Sequence, residues 1–273
     1  MCLMRCLFCK INSDSSRSVE HIIPESLGGL SHCLPPGVVC DQCNNYFSRE
    51  VEKPFLESAA IMLLRFHQEI PSKKGRVPPA QGIISPGFAP VTIQRHIGKP
   101  LGMSIHVPPD AIEQLLKAEK GMVILPTSAD LPGGPVVSRF LAKVGLEAMA
   151  ARLVSHPDGL EYLVDEAQLD ALRNHARRGD TLQWPIHVRQ IYDQDTKWSD
   201  KSGSDLQIVN EFDILVTDRS EWYFVLALFG LEMAINYGGP DIEGYPLWLA
   251  DHGNESPLYS GKNASDDRLR RLS

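Results

Sequence analysis

Two cysteine pairs, Cys6-x2-Cys9 and Cys40-x2-Cys43, constrain this chain more than any other feature, and thirty residues lie between them. Each pair presents two thiolates from one tight turn, and two such turns can close a four-sulfur shell around a tetrahedral zinc ion, Zn2+. Six cysteines in 273 residues are too few for a disulfide scaffold. A single redox C-x2-C with incidental thiols is the alternative, and it accounts less well for two pairs at this separation. Cys2 and Cys33 are left over; Cys2 could replace Cys6 as a ligand, at a poorer C-x3-C spacing.

Zinc in that position staples a compact head, expected over residues 1–58, that is too short to hold itself together by apolar burial alone. Between the two knuckles lies SRSVEHIIPESLGG. A strand is expected over 19–23, and consecutive strand side chains point to opposite faces, so Glu20 and His21 face different surroundings. A second short strand is expected at 37–39. From Cys43 the pattern CNNYFSREVEK is helical, with Tyr46/Phe47, Val51 and Phe55 recurring at three- and four-residue spacing. Pro54 suits the first turn of a further helix, which Pro71 stops.

Residues 59–100 read as that helix and a basic, Pro/Gly-rich linker with β-like pieces at 82–85 and 90–96. Residues 101–252 read as an α+β accessory domain of unassigned role. Helical periodicity appears there at 110–120, 138–155 and 165–177, and β-type runs at 182–192, 206–217 and 221–228, with a hairpin turn at 217–220. A polar tail, 253–273, closes the chain. The fold class is α+β. The histidines at 106, 156, 175, 187 and 252 stand without partner spacing, and Trp222-Tyr223 reads as packing.

A net charge of −7 argues against nucleic-acid binding by bulk charge, but the basic residues are not evenly spread. Between 61 and 100, Arg65, Lys73, Lys74, Arg76, Arg95 and Lys99 stand against Glu69 alone. Lys73, Lys74 and Arg76, in a loop with proline on both sides, are the candidate phosphate contacts; the plainer reading is a solvated linker. Arg268, Arg270 and Arg271 form a weaker cluster. No apolar run reaches membrane-spanning length, the N-terminus lacks a signal-peptide layout, and a cytoplasmic protein is expected.

The order C-x2-C, then EHIIPESLGG, then VVCDQCNNYF resembles the HNH endonuclease family, the zinc-stapled branch of the ββα-metal nucleases, over roughly residues 1–58. The resemblance implies a small ββα-metal head followed by a larger α+β domain, and metal-dependent hydrolysis of phosphodiester bonds in DNA. It assigns His21 as general base. Glu20, just before it, and Asn44, just after the last cysteine, become ligands of a catalytic Mg2+ or Mn2+; Asn45 is the alternative to Asn44. The chemistry suits these residues: neutral imidazole can take a proton from water, and a hard cation on oxygen ligands offsets charge on a departing oxygen. No asparagine lies between Gly29 and Val38, where many members carry one; Pro35-Pro36-Gly37 stands there instead. His32 is a further candidate, though loop histidines are more often solvated.

A nucleobase deaminase is excluded, because its histidine ligates the zinc in an H-x-E order followed by P-C-x-x-C. The rival reading is a non-catalytic zinc-ribbon adaptor for nucleic acid or protein. DNA is the expected partner, with a protein partner or a second copy of the chain expected through the accessory domain.

Overall fold

A computed structural model describes residues 4–29, 32–98, 101–118, 120–179, 183–199, 204–258 and 270–271. Cys2, Lys99 and Arg268 lie outside the described residues. No described helix is long and apolar enough to cross a membrane.

The head opens with a knuckle turn over Cys6–Lys10, closed by Lys10 N–H on the Cys6 carbonyl (2.9 Å), with Lys10 in the left-handed region. Strand β1 (Glu20–His21) pairs antiparallel with β2 (Cys33–Leu34), Glu20 opposite Leu34 and His21 opposite Cys33. The partner strand therefore precedes the Pro-Pro-Gly segment instead of following it at 37–39. Two prolines offer no N–H to a ladder, and Gly37 turns there at a φ of +96°. Helix α1 (Asp41–Phe47) starts at the second knuckle, with Cys40 as its N-cap. A wider π-helical turn, Ser48–Glu52, leads into α2 (Lys53–Leu56). The single helix expected from Pro54 is broken: Ser58, extended and with its hydroxyl on the Phe55 carbonyl, stands at the N-cap position of a new helix, α3 (Ala59–His67).

Next come β3 (Ala80–Ser85), β4 (Ala89–Arg95), β5 (Met103–His106), α4 (Pro109–Lys117) and β6 (Met122–Ile124). The strands form an antiparallel sheet ordered β5-β4-β3-β6, and Leu63, Phe66, Val77, Ile84, Val91 and Ile93 form its core with α3. The remainder comprises α5 (Val136–Leu153), α6 (Gly159–Asp165), α7 (Asp170–Arg178), β7 (Ile186–Gln190), β8 (Trp198–Ser199), β9 (Asp205–Leu206), β10 (Asn210–Val216), β11 (Trp222–Leu228), β12 (Leu231–Asn236), α8 (Gly244–Asp251) and β13 (Arg270–Arg271). Strands β10-β11-β12-β7 make a second antiparallel sheet, and β13-β8-β9 a small third one. The architecture is α+β.

The chain divides into two compact units, Met1–Pro54 with Gly133–Ser273, and Phe55–Pro132. These ranges differ from the expected division into a head (1–58), linker (59–100), accessory domain (101–252) and tail (253–273). The expected linker carries two strands of a sheet, β3 and β4, and the core beneath it, and the head is one unit with the chain from 133 onward.

Helix α5 explains that union. It is apolar nearly all round, and from Val137 to Ala148 every residue but Arg139 is buried, so it must be covered on nearly every side. One side lies on β10, β11 and β12, where Gly145 permits close approach: a Cβ there would sit 2.9 Å from the Phe224 ring. Another side lies against β2 and the π-helical turn of the head. The opposite sheet face packs Tyr223, Val225 and Ala227 against Tyr245 and Leu249 of α8. Burial on both faces is why EWYFVLALFG is continuously apolar.

Polar ties complete the join. Arg5 makes a two-pronged contact to Asp165 (2.8 and 2.7 Å), and Lys10 pairs with Asp170 at 2.6 Å. Arg5 and Lys10 hold the carboxyls of Asp165 and Asp170 below the usual range, chiefly by hydrogen bonding. Arg139 on α5 donates to Tyr46 and to the Arg177 carbonyl, each at 2.9 Å.

Candidate active site and metal centre

The four sulfurs of Cys6, Cys9, Cys40 and Cys43 all lie within 4.8 Å of one another. Zinc–thiolate bonds of about 2.3 Å in a tetrahedron place sulfurs about 3.8 Å apart. Cys9 Sγ and Cys40 Sγ are 3.7 Å apart. Backbone N–H groups already point at the sulfurs, from Cys40 to Cys6 Sγ at 3.3 Å and from Cys43 to Cys40 Sγ at 3.4 Å. The Cys6 thiol is pulled down to about 4, chiefly by the Cys43 side chain, and burial pushes Cys9 up to about 11. A four-thiol shell with N–H support, two of its cysteines buried and two half-buried, fits a closed structural zinc site. Cys33 is exposed and stands apart from it in β2.

The second knuckle also fixes the start of β1. Asp41 Oδ1 accepts from the backbone N–H of Arg17 (3.0 Å) and Ser18 (2.9 Å) and from Ser18 Oγ (2.5 Å), two residues before β1. The Ser18 hydroxyl and these N–H groups hold the Asp41 carboxyl below its usual range.

On β1, His21 is half-buried and held at both ring nitrogens. Nδ1 lies 2.9 Å from the Gly29 carbonyl, and Nε2 lies 3.0 Å from Glu25 Oε1. Cys33 Sγ also lies 3.3 Å from Nδ1. A carbonyl only accepts, so Nδ1 carries the hydrogen in the Gly29 contact; an ionised carboxylate also only accepts, so the Glu25 contact needs a second hydrogen, on Nε2. The Gly-Gly turn makes this possible. A Cβ on Gly29 would fall 1.7 Å from the Ile23 carbonyl, so only glycine lets the chain fold back onto its own strand. Gly28, at a φ of +82°, presses against Val209, and Asn210 Nδ2 donates to the Leu27 carbonyl at 2.7 Å. Strand β10 thus buttresses the turn that anchors His21. His32 packs its ring edge-on to Phe212 at 5.3 Å.

Glu20 points the other way, as the alternation requires, and is 5% exposed. Its Oε1 lies 2.5 Å from the ammonium of Lys143 on α5, which also meets Glu52 Oε1 at 2.7 Å and Glu147 Oε2 at 2.9 Å. Lys143 and Glu147 have no solvent exposure. The Glu147 contact is an ion pair, and neither of its oxygens has an aligned hydrogen-bond donor among the described residues. Burial alone would discharge Lys143, but the three carboxylates outweigh it and hold the ammonium charged well above the ordinary lysine value. Burial raises Glu20 and raises Glu147 further, against the pull of Lys143.

Asn44 follows Cys43 in the first turn of α1, half-buried, with its N–H on the Cys40 carbonyl at 2.9 Å; Asn45 beside it is exposed. By donor chemistry, the Glu20 carboxylate and an asparagine carbonyl suit a hard divalent ion, with Lys143 holding one Glu20 oxygen. Lys73, Lys74 and Arg76 are exposed on a tight turn in the other unit, closed by Ser72 N–H on the Arg76 carbonyl at 2.8 Å.

Sequence reasoning did not single out Glu25, Glu52, Lys143 or Glu147. One signal was present: Lys143 and Glu147 form an i,i+4 pair inside FLAKVGLEAMA, where every neighbour is apolar. A charged pair with no polar face to occupy must find its partners inside.

No curated protein and no solved structure gave a significant match to the chain. The four-thiol cluster and the Glu20–His21 strand both fall within residues 6–59, and that segment matches the family model of HNH endonuclease, which points to nuclease chemistry.

Proposed function

We propose that this protein is a metal-dependent HNH endonuclease that hydrolyses phosphodiester bonds in DNA. The observation that carries the reading is the family match over residues 6–59, with the four thiols gathered as a zinc staple demands. His21 acts as general base through Nε2, the nitrogen its Gly29 anchor leaves available, once water has displaced Glu25 and the ring is neutral. Glu20 and Asn44 hold a Mg2+ or Mn2+ ion. When bound, that ion supplies Lewis-acid stabilisation of charge on the phosphate and the departing oxygen. Plasmid cleavage across a magnesium and manganese series tests the proposal; binding without nicking at every concentration would leave the zinc-ribbon adaptor as the function. One observation favours that second reading: Glu20 is clamped by Lys143.

Asn44 is the ligand to vary first. Asn44→Ala should lower nicking at millimolar magnesium and regain activity as magnesium is raised, since only metal affinity is lost. A variant whose activity stays flat across the metal series would remove Asn44 from the ligand set and leave Asn45 to be tried. Glu20→Ala is a poorer test, because removing one partner of a buried ion pair costs about 3–5 kcal/mol of stability on its own.

The basic turn is proposed as a phosphate contact. Replacing Lys73, Lys74 and Arg76 together by alanine should weaken DNA binding and flatten its salt dependence, each lost contact reducing the log–log slope by about 0.9. An unaltered slope would make the turn a solvated linker.

A further inference from the structure

Glu20 is the residue this reading places at the catalytic ion, and it is already occupied by a cation. The ammonium of Lys143 sits 2.5, 2.7 and 2.9 Å from carboxylate oxygens of Glu20, Glu52 and Glu147. Three features separate this cluster from an ordinary ion pair. It is dry, with Lys143 and Glu147 wholly buried and Glu20 nearly so. It contains three carboxylates for one ammonium, and a buried excess of negative charge is costly unless protons or another cation offset it. Its members converge from three elements: β1, the π-helical turn and α5.

We infer that Lys143 is a tethered competitor of the divalent ion: its ammonium and the ion contend for the Glu20 carboxylate, so Lys143 sets how much metal the site needs. The inference rests on the nuclease reading for the identity of the site. Two cations close to one carboxylate repel each other, and in a partly dry site that repulsion is large compared with its value in water. An ion entering at Glu20 therefore meets both a like charge and a carboxylate oxygen already engaged. Glu52 and Glu147 decide how firmly Lys143 is held and how negative its surroundings are. Lys143 is a positioning residue, acting through Glu20, and the helix that carries it belongs to the part of the chain beyond residue 133. Metal loading in the head is thereby coupled to the packing of α5.

The test is direct Mn2+ binding to the zinc-loaded full chain, followed by electron paramagnetic resonance of free Mn2+, with Glu20→Gln defining the Glu20-dependent site. Lys143→Met should bind Mn2+ at that site at least tenfold more tightly than wild type, and Mn2+ should raise its melting temperature more than it raises the wild type's. Glu147→Gln should change affinity in the opposite direction, weakening Mn2+ binding severalfold, because it takes away a carboxylate oxygen that draws the ammonium from Glu20 and leaves Lys143 to Glu20 and Glu52. It tests the same idea if Lys143→Met fails to fold. A merely structural Lys143 would not produce effects of opposite sign. Unaltered or weaker Mn2+ binding in Lys143→Met, or unaltered or tighter binding in Glu147→Gln, overturns the inference. Wild-type cleavage in magnesium is measured alongside. Cleavage with either overturning result discards the competitor and keeps the nuclease; no cleavage and no Glu20-dependent Mn2+ binding in any variant discards both.

Discussion

Cys43→Ser should yield a protein that holds no zinc and has lost the fold of its head. The thiol is 3% exposed at the first turn of α1, and its N–H already supports Cys40 Sγ. Structural zinc contributes about 10–16 kcal/mol in small zinc-folded peptides, comparable to the whole stability of a domain at about 5–15 kcal/mol. Serine is a poor ligand and cannot restore the shell. The loss should not stop at the knuckles, because the head shares α5 and the Gly28–Gly29 turn with the β10-β11-β12-β7 sheet. All four tryptophans, Trp184, Trp198, Trp222 and Trp248, lie in that second part of the unit, so their fluorescence reports whether the damage spreads. Elemental analysis should fall from about one zinc per chain to none, with a lowered melting temperature by both circular dichroism and tryptophan emission. Unaltered metal content and melting would rule out the four-cysteine site.

His21→Ala should be the opposite kind of variant, folded and inactive. The side chain is half-buried, and its contacts are to the Gly29 carbonyl, the Glu25 carboxylate and the exposed Cys33 Sγ. Removing it leaves no buried charge unpaired, so zinc content, melting temperature and DNA binding should stay close to wild type. Cleavage should fall by about 100-fold or more, the usual worth of a positioned proton acceptor. Raising magnesium or manganese should not restore it, because no added ion supplies a base at that point. This separates His21 from Asn44, whose loss is expected to be rescued by metal. Full activity in His21→Ala would refute its assignment as base. A rescue curve identical to that of Asn44→Ala would abolish the division of labour on β1 and α1.

The sequence and the tertiary structure divide the site between them in an instructive way. The four thiols were legible because ligand spacing within a turn is a local property: a C-x2-C can present two sulfurs whatever surrounds it. The opposed directions of Glu20 and His21 were legible for the same reason, from the alternation of a strand. The Gly-Gly turn was visible as a turn, but its task of returning the Gly29 carbonyl to His21 was not. Among the regular elements, the helix expected at 138–155 lies close to α5 (Val136–Leu153), whereas the one expected at 165–177 starts only at Asp170, as α7. Strand β12, Leu-Glu-Met-Ala-Ile-Asn, was not legible, because its residues favour helix and only pairing between β11 and β7 makes it extended. Its Glu232 is fully buried, tied to Arg189 and Tyr245, which no local pattern announces.

What the sequence by itself determined is the chemistry available at the head: four thiols spaced for one shell, an imidazole and a carboxylate on opposite faces of one strand, and an asparagine after the last thiol. Only the tertiary structure decided what stands against them. The second unit, Phe55–Pro132, interrupts a single unit in sequence, and α5 returns after it to cover the head. Lys143 reaches Glu20 across 123 residues of chain. Helical periodicity can show that α5 must be buried on nearly every side, but the carboxylates awaiting its one lysine are set by how three separate elements pack, and packing is a relation between segments that no single segment contains.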